Sequence, residues 1–273
     1  MTSPRPPGWD TVLITGASGG IGEEFAKLFA SKGCGLVLVA RNGEKLATLA
    51  QALRDQHKVA VETLAVDLAT PASPLRVLSF LDERKLAVDV LVNNAGYGTF
   101  GPFADSDLGP ELGQIQLNVT TLTHLTRLLL PGMIRRSGGG ILNVASTAAF
   151  QPGPMMAVYY ATKAYVLSFS EALANELKGT GIKVSCLCPG PTKTGFNERA
   201  KLGNGGLLSK KSVMMEAADV ARRGYQGLVK GKRLVIPGLL NKMLAHSTRL
   251  GSRGMSAGVV RHIMDGIRAS KSP

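Results

Sequence analysis

Short apolar runs of strand length alternate with longer amphipathic segments along most of this chain. Seven of these runs are nearly continuous in Val, Ile and Leu, which is typical of β-strands covered on both faces. They are residues 11–15, 35–40, 59–66, 88–93, 140–145, 183–188 and 234–237. Helical periodicity lies between them, near residues 21–32, 44–56, 74–87, 107–134, 157–178 and 216–229. This order predicts repeated βαβ units, and hence an α/β fold with a doubly wound parallel sheet of seven strands.

A glycine-rich turn, TGASGGIG over residues 15–22, joins the first predicted strand to the first predicted helix. Glycines permit a tight turn and let backbone amides approach a pyrophosphate at a helix N-terminus, where the helix dipole favours anions. The spacing differs from the commoner Gly-x-Gly-x-x-Gly, so the strand before and the helix after carry much of the inference. A dinucleotide is the expected ligand, and a flexible loop is the alternative.

The second predicted strand ends in VARN over residues 39–42 and carries no carboxylate there. A NAD-binding chain usually places an Asp or Glu at this point to hold the adenosine ribose. Arg41 can instead pair with a 2′-phosphate and stack on adenine, so the sequence favours NADP(H) as the cofactor. The alternative is that Arg41 is a solvated side chain with no contact to a cofactor. Asp67 closes the third strand, where it either accepts a hydrogen bond from the adenine amino group or caps a helix.

A tyrosine and a lysine stand four residues apart at the start of an apolar helical segment, YYATK over residues 159–163. Tyr159 and Lys163 therefore share one helix face. A phenol is a poor acid or base at neutral pH, and a neighbouring ammonium lowers its pKa, so the pair predicts a tuned acid/base. Tyr160 is the competing tyrosine, but its neighbour four residues on is Ala164, and we interpret Tyr160 as a core residue.

Three further polar positions lie near other predicted strand ends. Ser146 follows the fifth strand, thirteen residues before Tyr159, where its hydroxyl is placed to hydrogen-bond a carbonyl oxygen. The sequence NNAG over residues 93–96 ends the fourth strand, and Asn118 lies inside the long helical segment that follows. Because the carboxyl ends of parallel strands open onto one crevice, these groups are expected to face a common ligand.

Together these motifs resemble the short-chain dehydrogenase/reductase family, whose members are one-domain, NAD(P)-dependent oxidoreductases with a Rossmann-like sheet. The resemblance covers roughly residues 10–237 and, through Arg41, points to the NADP-preferring members. It implies the catalytic residues Asn118, Ser146, Tyr159 and Lys163. It also implies cofactor contacts at Gly16, Ser18, Gly20, Ile21, Gly22, Arg41, Asp67, Asn94, Ala95, Gly96, Tyr159, Lys163, Pro189, Gly190, Thr192 and Thr194.

The resemblance further implies hydride transfer between the nicotinamide and a carbonyl or secondary alcohol, with no metal. Ser146 would hold the carbonyl oxygen and Tyr159 would protonate it. Lys163 would depress the Tyr159 pKa and bind the nicotinamide ribose, and Asn118 would steady a relay water.

Ketone reduction on an apolar substrate, such as an acyl chain, a steroid-like molecule or a small carbonyl, is expected because four apolar side chains lie near the predicted pocket. They are Phe150, Met155, Met156 and Phe196. The alternative is a catalytically silent protein that senses NADP.

The net charge of +13 is distributed unevenly. Residues 1–192 carry 16 Lys/Arg and 15 Asp/Glu, whereas residues 193–273 carry 16 and 4, so nearly all the excess lies in the last third. We interpret that excess as a solvated, solubilising surface, and docking on an anionic membrane or an acidic acyl carrier is the alternative hypothesis. The first residues of this region belong to a candidate substrate loop, residues 189–215, which is rich in Gly, Pro, Lys and Ser.

We divide the chain into a dinucleotide-binding domain, residues 1–238, and a basic helical extension, residues 239–273. In the extension, Ser256 is predicted to cap a helix with an apolar face that closes the substrate pocket or forms a subunit contact. That face consists of Val259, Val260, Ile263, Met264 and Ile267.

Three cysteines and no apparent leader segment favour a reducing compartment, the cytoplasm. Family members are usually homodimers or homotetramers, so the same association is expected here, through the helices near 107–134 and 157–178.

Overall fold

The computed structural model describes residues 4–200, 214–248 and 252–269. Seven parallel strands form one sheet. They are β1 (Thr11–Thr15), β2 (Gly35–Ala40), β3 (Val61–Ala65), β4 (Val90–Asn93), β5 (Gly139–Val144), β6 (Ile182–Leu187) and β9 (Leu234–Val235). Their order in the sheet is β3-β2-β1-β4-β5-β6-β9, which confirms the predicted doubly wound fold. A second small sheet pairs β7 (Thr192–Lys193) with β8 (Met215–Glu216).

Helices cover both faces of the large sheet, as its parallel strands require. The helices are α1 (Gly20–Ala30), α2 (Gly43–His57), α3 (Ser73–Glu83), α4 (Leu108–Ile115), α5 (Leu122–Arg135), α6 (Ala157–Glu176), α7 (Phe196–Arg199), α8 (Ala217–Val229), α9 (Leu239–Ser247) and α10 (Arg253–Ala269). In the part of the chain that the structure describes, no helix combines the length and hydropathy needed to cross a membrane.

The alternation of side chains along β1 shows how the two halves of the core form. Val12 and Ile14 point to one face, where α1, α2 and α8 pack. Leu13 points to the other face, where α3, α5 and α6 pack. All three side chains are fully buried, because each face of a central parallel strand is covered by helices.

The predicted helix over residues 107–134 is interrupted. A π-helical segment, Gln116–Thr121, separates α4 from α5, and Asn118 lies within it. One wider turn inside a helix leaves the apolar periodicity on either side almost unchanged, so the pattern alone predicts one continuous helix. Such segments are frequent at functional sites.

The C-terminal extension forms two helices, α9 and α10, where the sequence pattern predicts one. The predicted cap at Ser256 is wrong, because Ser252 Oγ accepts a hydrogen bond from Met255 N at 3.2 Å and α10 begins before Ser256. Most of the candidate substrate loop, residues 201–213, lies outside the described residues. Its two ends are joined by the parallel pairing of Thr192 with Met215 in the small sheet.

Candidate active site

A cavity of about 1050 Å³ opens at the carboxyl ends of the strands. It lies where the strand order reverses between β1 and β4, the usual ligand position in such sheets. Ser146, Tyr159, Lys163 and nearly all the predicted cofactor contacts line this cavity. The predicted contacts on its wall are Gly16, Ser18, Gly20, Ile21, Arg41, Asp67, Asn94, Ala95, Gly96, Pro189, Gly190, Thr192 and Thr194. Gly22 and Asn118 lie behind the wall.

The glycine turn is packed too tightly to accept side chains at two of its positions. Gly16 has a φ of +66°, and a Cβ there would lie 2.9 Å from Ala95 Cα. A Cβ on Gly22 would lie 2.3 Å from Gly16 O, so the first turn of α1 packs directly against the backbone of the glycine turn. Asn94 Nδ2 donates to Thr15 O at 2.9 Å and to Gly16 O at 3.2 Å. Asn94 therefore braces the turn against β4, and the backbone of the turn is presented to the cavity.

The end of the cavity beside β2 and β3 carries two cationic side chains, those of Arg41 and Lys45. Lys45 lies in the first turn of α2, whose N-cap is Asn42, and Asn42 Oδ1 accepts a hydrogen bond from Lys45 N at 2.9 Å. Asp67 Oδ1 accepts from Ala69 N at 2.9 Å, and α3 begins only at Ser73, so Asp67 is not a helix cap. The sequence pattern does not indicate Lys45, because Arg41 lies before α2 and only the fold brings the two side chains to one cavity.

Ser146 and Tyr159 are brought together at the end of β5. Ser146 follows β5 in extended conformation and its Oγ accepts a hydrogen bond from Ala148 N at 3.1 Å. Tyr159 lies in the first turn of α6 and is buried. Burial raises the pKa of the Tyr159 phenol well above its usual range, and a hydrogen bond with the Ser146 side chain partly offsets that rise. Tyr159 is therefore a protonated phenol at neutral pH.

Lys163 lies one helical turn after Tyr159 and is also buried. Its Nζ donates to Val144 O at 2.8 Å and lies 5.8 Å from the centre of the Tyr159 ring. Burial lowers the pKa of Lys163 from its ordinary value near 10.5 to about 8. The expectation that Lys163 depresses the Tyr159 pKa is not met in this structure, where burial and Ser146 are the main influences on that phenol.

Asn118 is held by the protein on both ends of its amide. Its Oδ1 accepts from Tyr97 N at 3.3 Å, and its Nδ2 donates to Tyr97 O and to Thr162 Oγ1, each at 3.0 Å. A Cβ on Gly96 would lie 3.0 Å from Asn118 Oδ1 and 3.4 Å from Lys163 Nζ. Asn118 thus fixes the loop after β4 to α6, directly behind the cavity wall that Lys163 reaches.

An apolar cluster surrounds Tyr159 and contributes to the cavity wall. Three side chains of α10, Val260, Met264 and Ile267, pack in one cluster with Tyr159 and Tyr160. Tyr160 is buried, as predicted, and it also lines the cavity. The remaining members of the predicted apolar face of α10 are Val259, which is 63% exposed, and Ile263; both line the cavity.

The four apolar residues expected near the pocket divide into two pairs. Met156 and Phe196 line the cavity. Met155 is buried in the same cluster without lining it. Phe150 packs elsewhere, beside Cys186 and Cys188.

Comparisons with known proteins agree with this architecture. A family model described as short chain dehydrogenase matches residues 10–204. The very-long-chain 3-oxoacyl-CoA reductase of Rattus norvegicus is 35% identical over 194 residues, which are 69% of this chain and 61% of the rat protein. This chain thus spans less than two thirds of that relative's length.

Two solved structures are similar over most of the chain. A short-chain dehydrogenase from Sphingobium yanoikuyae, in complex with NADPH, is 36% identical with a TM-score of 0.79, covering 89% of this chain and 94% of that one. The bulky-bulky ketone specific alcohol dehydrogenase from Comamonas testosteroni is 30% identical with a TM-score of 0.74, covering 88% and 93%.

Proposed function

The chain belongs to the short-chain dehydrogenase family, and we propose that it is an NADP(H)-dependent reductase of ketones with bulky apolar substituents. The observation that carries this proposal is that Ser146, Tyr159 and Lys163 all line one cavity, beside an apolar cluster to which Tyr159 itself belongs. A proton donor, a hydrogen-bond donor for an oxygen atom and a cation are the groups that carbonyl reduction requires from a protein.

The cavity suits NADPH at both of its ends. The glycine turn presents backbone to a pyrophosphate, because a side chain at Gly16 would collide with Ala95 and one at Gly22 would collide with Gly16 O. Arg41 and Lys45 supply two cations for a 2′-phosphate, which NADH lacks. Bound NADPH supplies the hydride from its nicotinamide ring. Pro189, Gly190, Thr192 and Thr194 would hold that ring at the opposite end of the cavity.

The chain itself supplies the proton and the orientation. Ser146 Oγ donates a hydrogen bond to the substrate oxygen, and Tyr159 transfers its phenolic proton to that oxygen as negative charge develops. Lys163 would hold the nicotinamide ribose beside Tyr159. The raised pKa of Tyr159 fits its role as an acid in the direction of ketone reduction.

The apolar cluster supports the choice of substrate class. Met156, Phe196 and Val260 line the cavity beside Tyr159, so a substrate oxygen at Tyr159 would have apolar groups on its flanks. The similar Comamonas testosteroni enzyme is specific for bulky-bulky ketones, and the rat relative is a 3-oxoacyl-CoA reductase. Both names describe ketones with sizeable substituents.

The test is a ketone panel assayed by NADPH oxidation, with small, aryl, steroid and 3-oxoacyl members. Turnover is expected to be highest for bulky apolar ketones, and NADPH is expected to bind at least about tenfold more tightly than NADH, or about 1.4 kcal/mol. Arg41→Ala should shrink that difference, while Lys178→Ala, an exposed lysine on the surface, should not. NADPH binding without turnover on any ketone would contradict the proposal and favour a sensor.

A further inference from the structure

The two C-terminal helices leave a continuous apolar surface at the mouth of the cavity. We call this surface the α9–α10 face. Six of its side chains are between 57% and 75% exposed, which is unusual for residues of this size. They are Leu239, Leu240, Met243, Leu244, Met255 and Val259.

A substrate inside the cavity can cover only part of this face. Leu240 and Leu244 of α9, and Met255 and Val259 of α10, line the cavity and form its apolar rim. Leu239 and Met243 extend the same apolar arc of α9 but do not line the cavity. A ligand of the active site therefore leaves those two side chains in water, so a larger apolar partner has to account for them.

The charges around this face indicate what that partner is. Residues 239–273 carry six Lys/Arg and one acidic residue, Asp265. Lys242 is exposed on α9, Arg268 is exposed on α10, and Arg261 is exposed and paired with Asp265. A helix pair with exposed apolar side chains and flanking basic residues fits the interface of an anionic bilayer, where apolar groups enter the acyl boundary and basic groups meet headgroups.

We propose that the α9–α10 face docks on the surface of an anionic membrane, with the mouth of the cavity turned towards the lipid. Leu239 and Met243 enter the acyl boundary, and Lys242 contacts the headgroups. The rim residues then connect the bilayer interior to the apolar side of the active site. Docking adds to the proposed function and does not depend on it, since it is measured without substrate or cofactor.

The experiment is co-sedimentation of the full chain with phosphatidylcholine vesicles, with and without phosphatidylserine, at about 0.01 M and about 0.15 M salt. Binding is expected only with phosphatidylserine and is expected to weaken as salt rises. The double variant Leu239→Glu/Met243→Glu should reduce binding by about tenfold or more, because it removes apolar area and adds repelled charge. Leu75→Glu, at a 52% exposed leucine on α3, is the matched control and should bind as wild type.

Three results would overturn docking. One is no sedimentation of the wild-type chain at low salt, and another is equal sedimentation of the double variant and wild type. The third is capture by an acidic acyl carrier protein but not by vesicles. A ketone assay in vesicle-free buffer keeps the two proposals apart: the double variant should turn over a water-soluble ketone like wild type, because neither residue lines the cavity.

Discussion

At the scale of single residues, the surroundings of Tyr159, the proposed proton donor, favour one protonation state. Burial by α6 and by the apolar cluster disfavours the phenolate, while the hydrogen bond with Ser146 favours it. Burial is the larger influence, so the phenol keeps its proton until an acceptor arrives. A carbonyl oxygen that gains a hydride becomes a much stronger base, and it can then take that proton.

Replacing Tyr159 with Phe keeps the buried ring and removes the proton. Turnover of a ketone should fall by about 10² or more, while NADPH binding survives. Tyr160→Phe is the matched control, since Tyr160 is the adjacent buried tyrosine and should retain turnover. Steady-state NADPH oxidation and fluorescence titration of NADPH measure the two quantities. Loss of turnover in Tyr160→Phe alone would place the catalytic residue one position later.

The proposed contact of Lys163 with the cofactor ribose predicts that cofactor affinity depends on pH. Burial lowers the pKa of Lys163 to about 8, so the ammonium proposed to bind the ribose is present below pH 8 and is lost above it. The Kd for NADPH should therefore be level below about pH 8 and rise above it, approaching about tenfold per pH unit. Lys163→Met should bind NADPH more weakly with no rise in this range. A wild-type Kd unchanged up to about pH 10 would contradict the assignment.

At the scale of elements, the strand ends were predictable and the position of the π segment was not. A run such as Val12-Leu13-Ile14 is buried on both faces, so composition alone marks it as a central strand. Several of the predicted site residues come just after these strands in the sequence, as Ser146 does after β5 and Asn94 after β4. The π segment, by contrast, adds one wider turn without an apolar signature. The position of Lys45 on the cavity wall and the hydrogen bond from Lys163 Nζ to Val144 O both depend on three-dimensional packing, so the sequence does not indicate them.

Asn118 holds the π segment to the loop after β4, so its removal should destabilise the protein. Asn118→Ala removes the partner of Thr162 Oγ1, which is buried, and of Tyr97 N and Tyr97 O, which are partly buried. The free energy of unfolding should fall by about 2–3 kcal/mol. Urea unfolding measures it, and Asn175→Ala, at an exposed position of α6, should change it by less than about 0.5 kcal/mol. Equal losses in the two variants would mean that the three hydrogen bonds contribute nothing net.

At the scale of the whole molecule, positive charge and exposed apolar side chains are distributed unevenly along the chain. Residues 1–192 are nearly neutral, and the last third carries nearly all the excess positive charge. Within the described residues, Arg199 from that last third lines the cavity together with Arg41 and Lys45. An anionic cofactor would be attracted towards these cations, and the attraction would weaken as salt rises. The exposed apolar side chains outside the last third lie mainly around α4, α5 and α6, the helices through which association is predicted.

Association through α4 is a prediction that the surface makes testable. Leu108, Leu112 and Ile115 form one stripe on α4, spaced by four and three residues, and are 63%, 55% and 41% exposed. Three large apolar side chains on one helix face favour burial against a second copy of the chain.

We expect a dimer or tetramer by sedimentation velocity at micromolar concentration. Leu112→Glu should shift the distribution towards monomer, because a carboxylate would be buried there. Leu75→Glu, an equally exposed leucine on α3, should leave the distribution unchanged. A wild-type chain that sediments as a monomer would contradict this prediction.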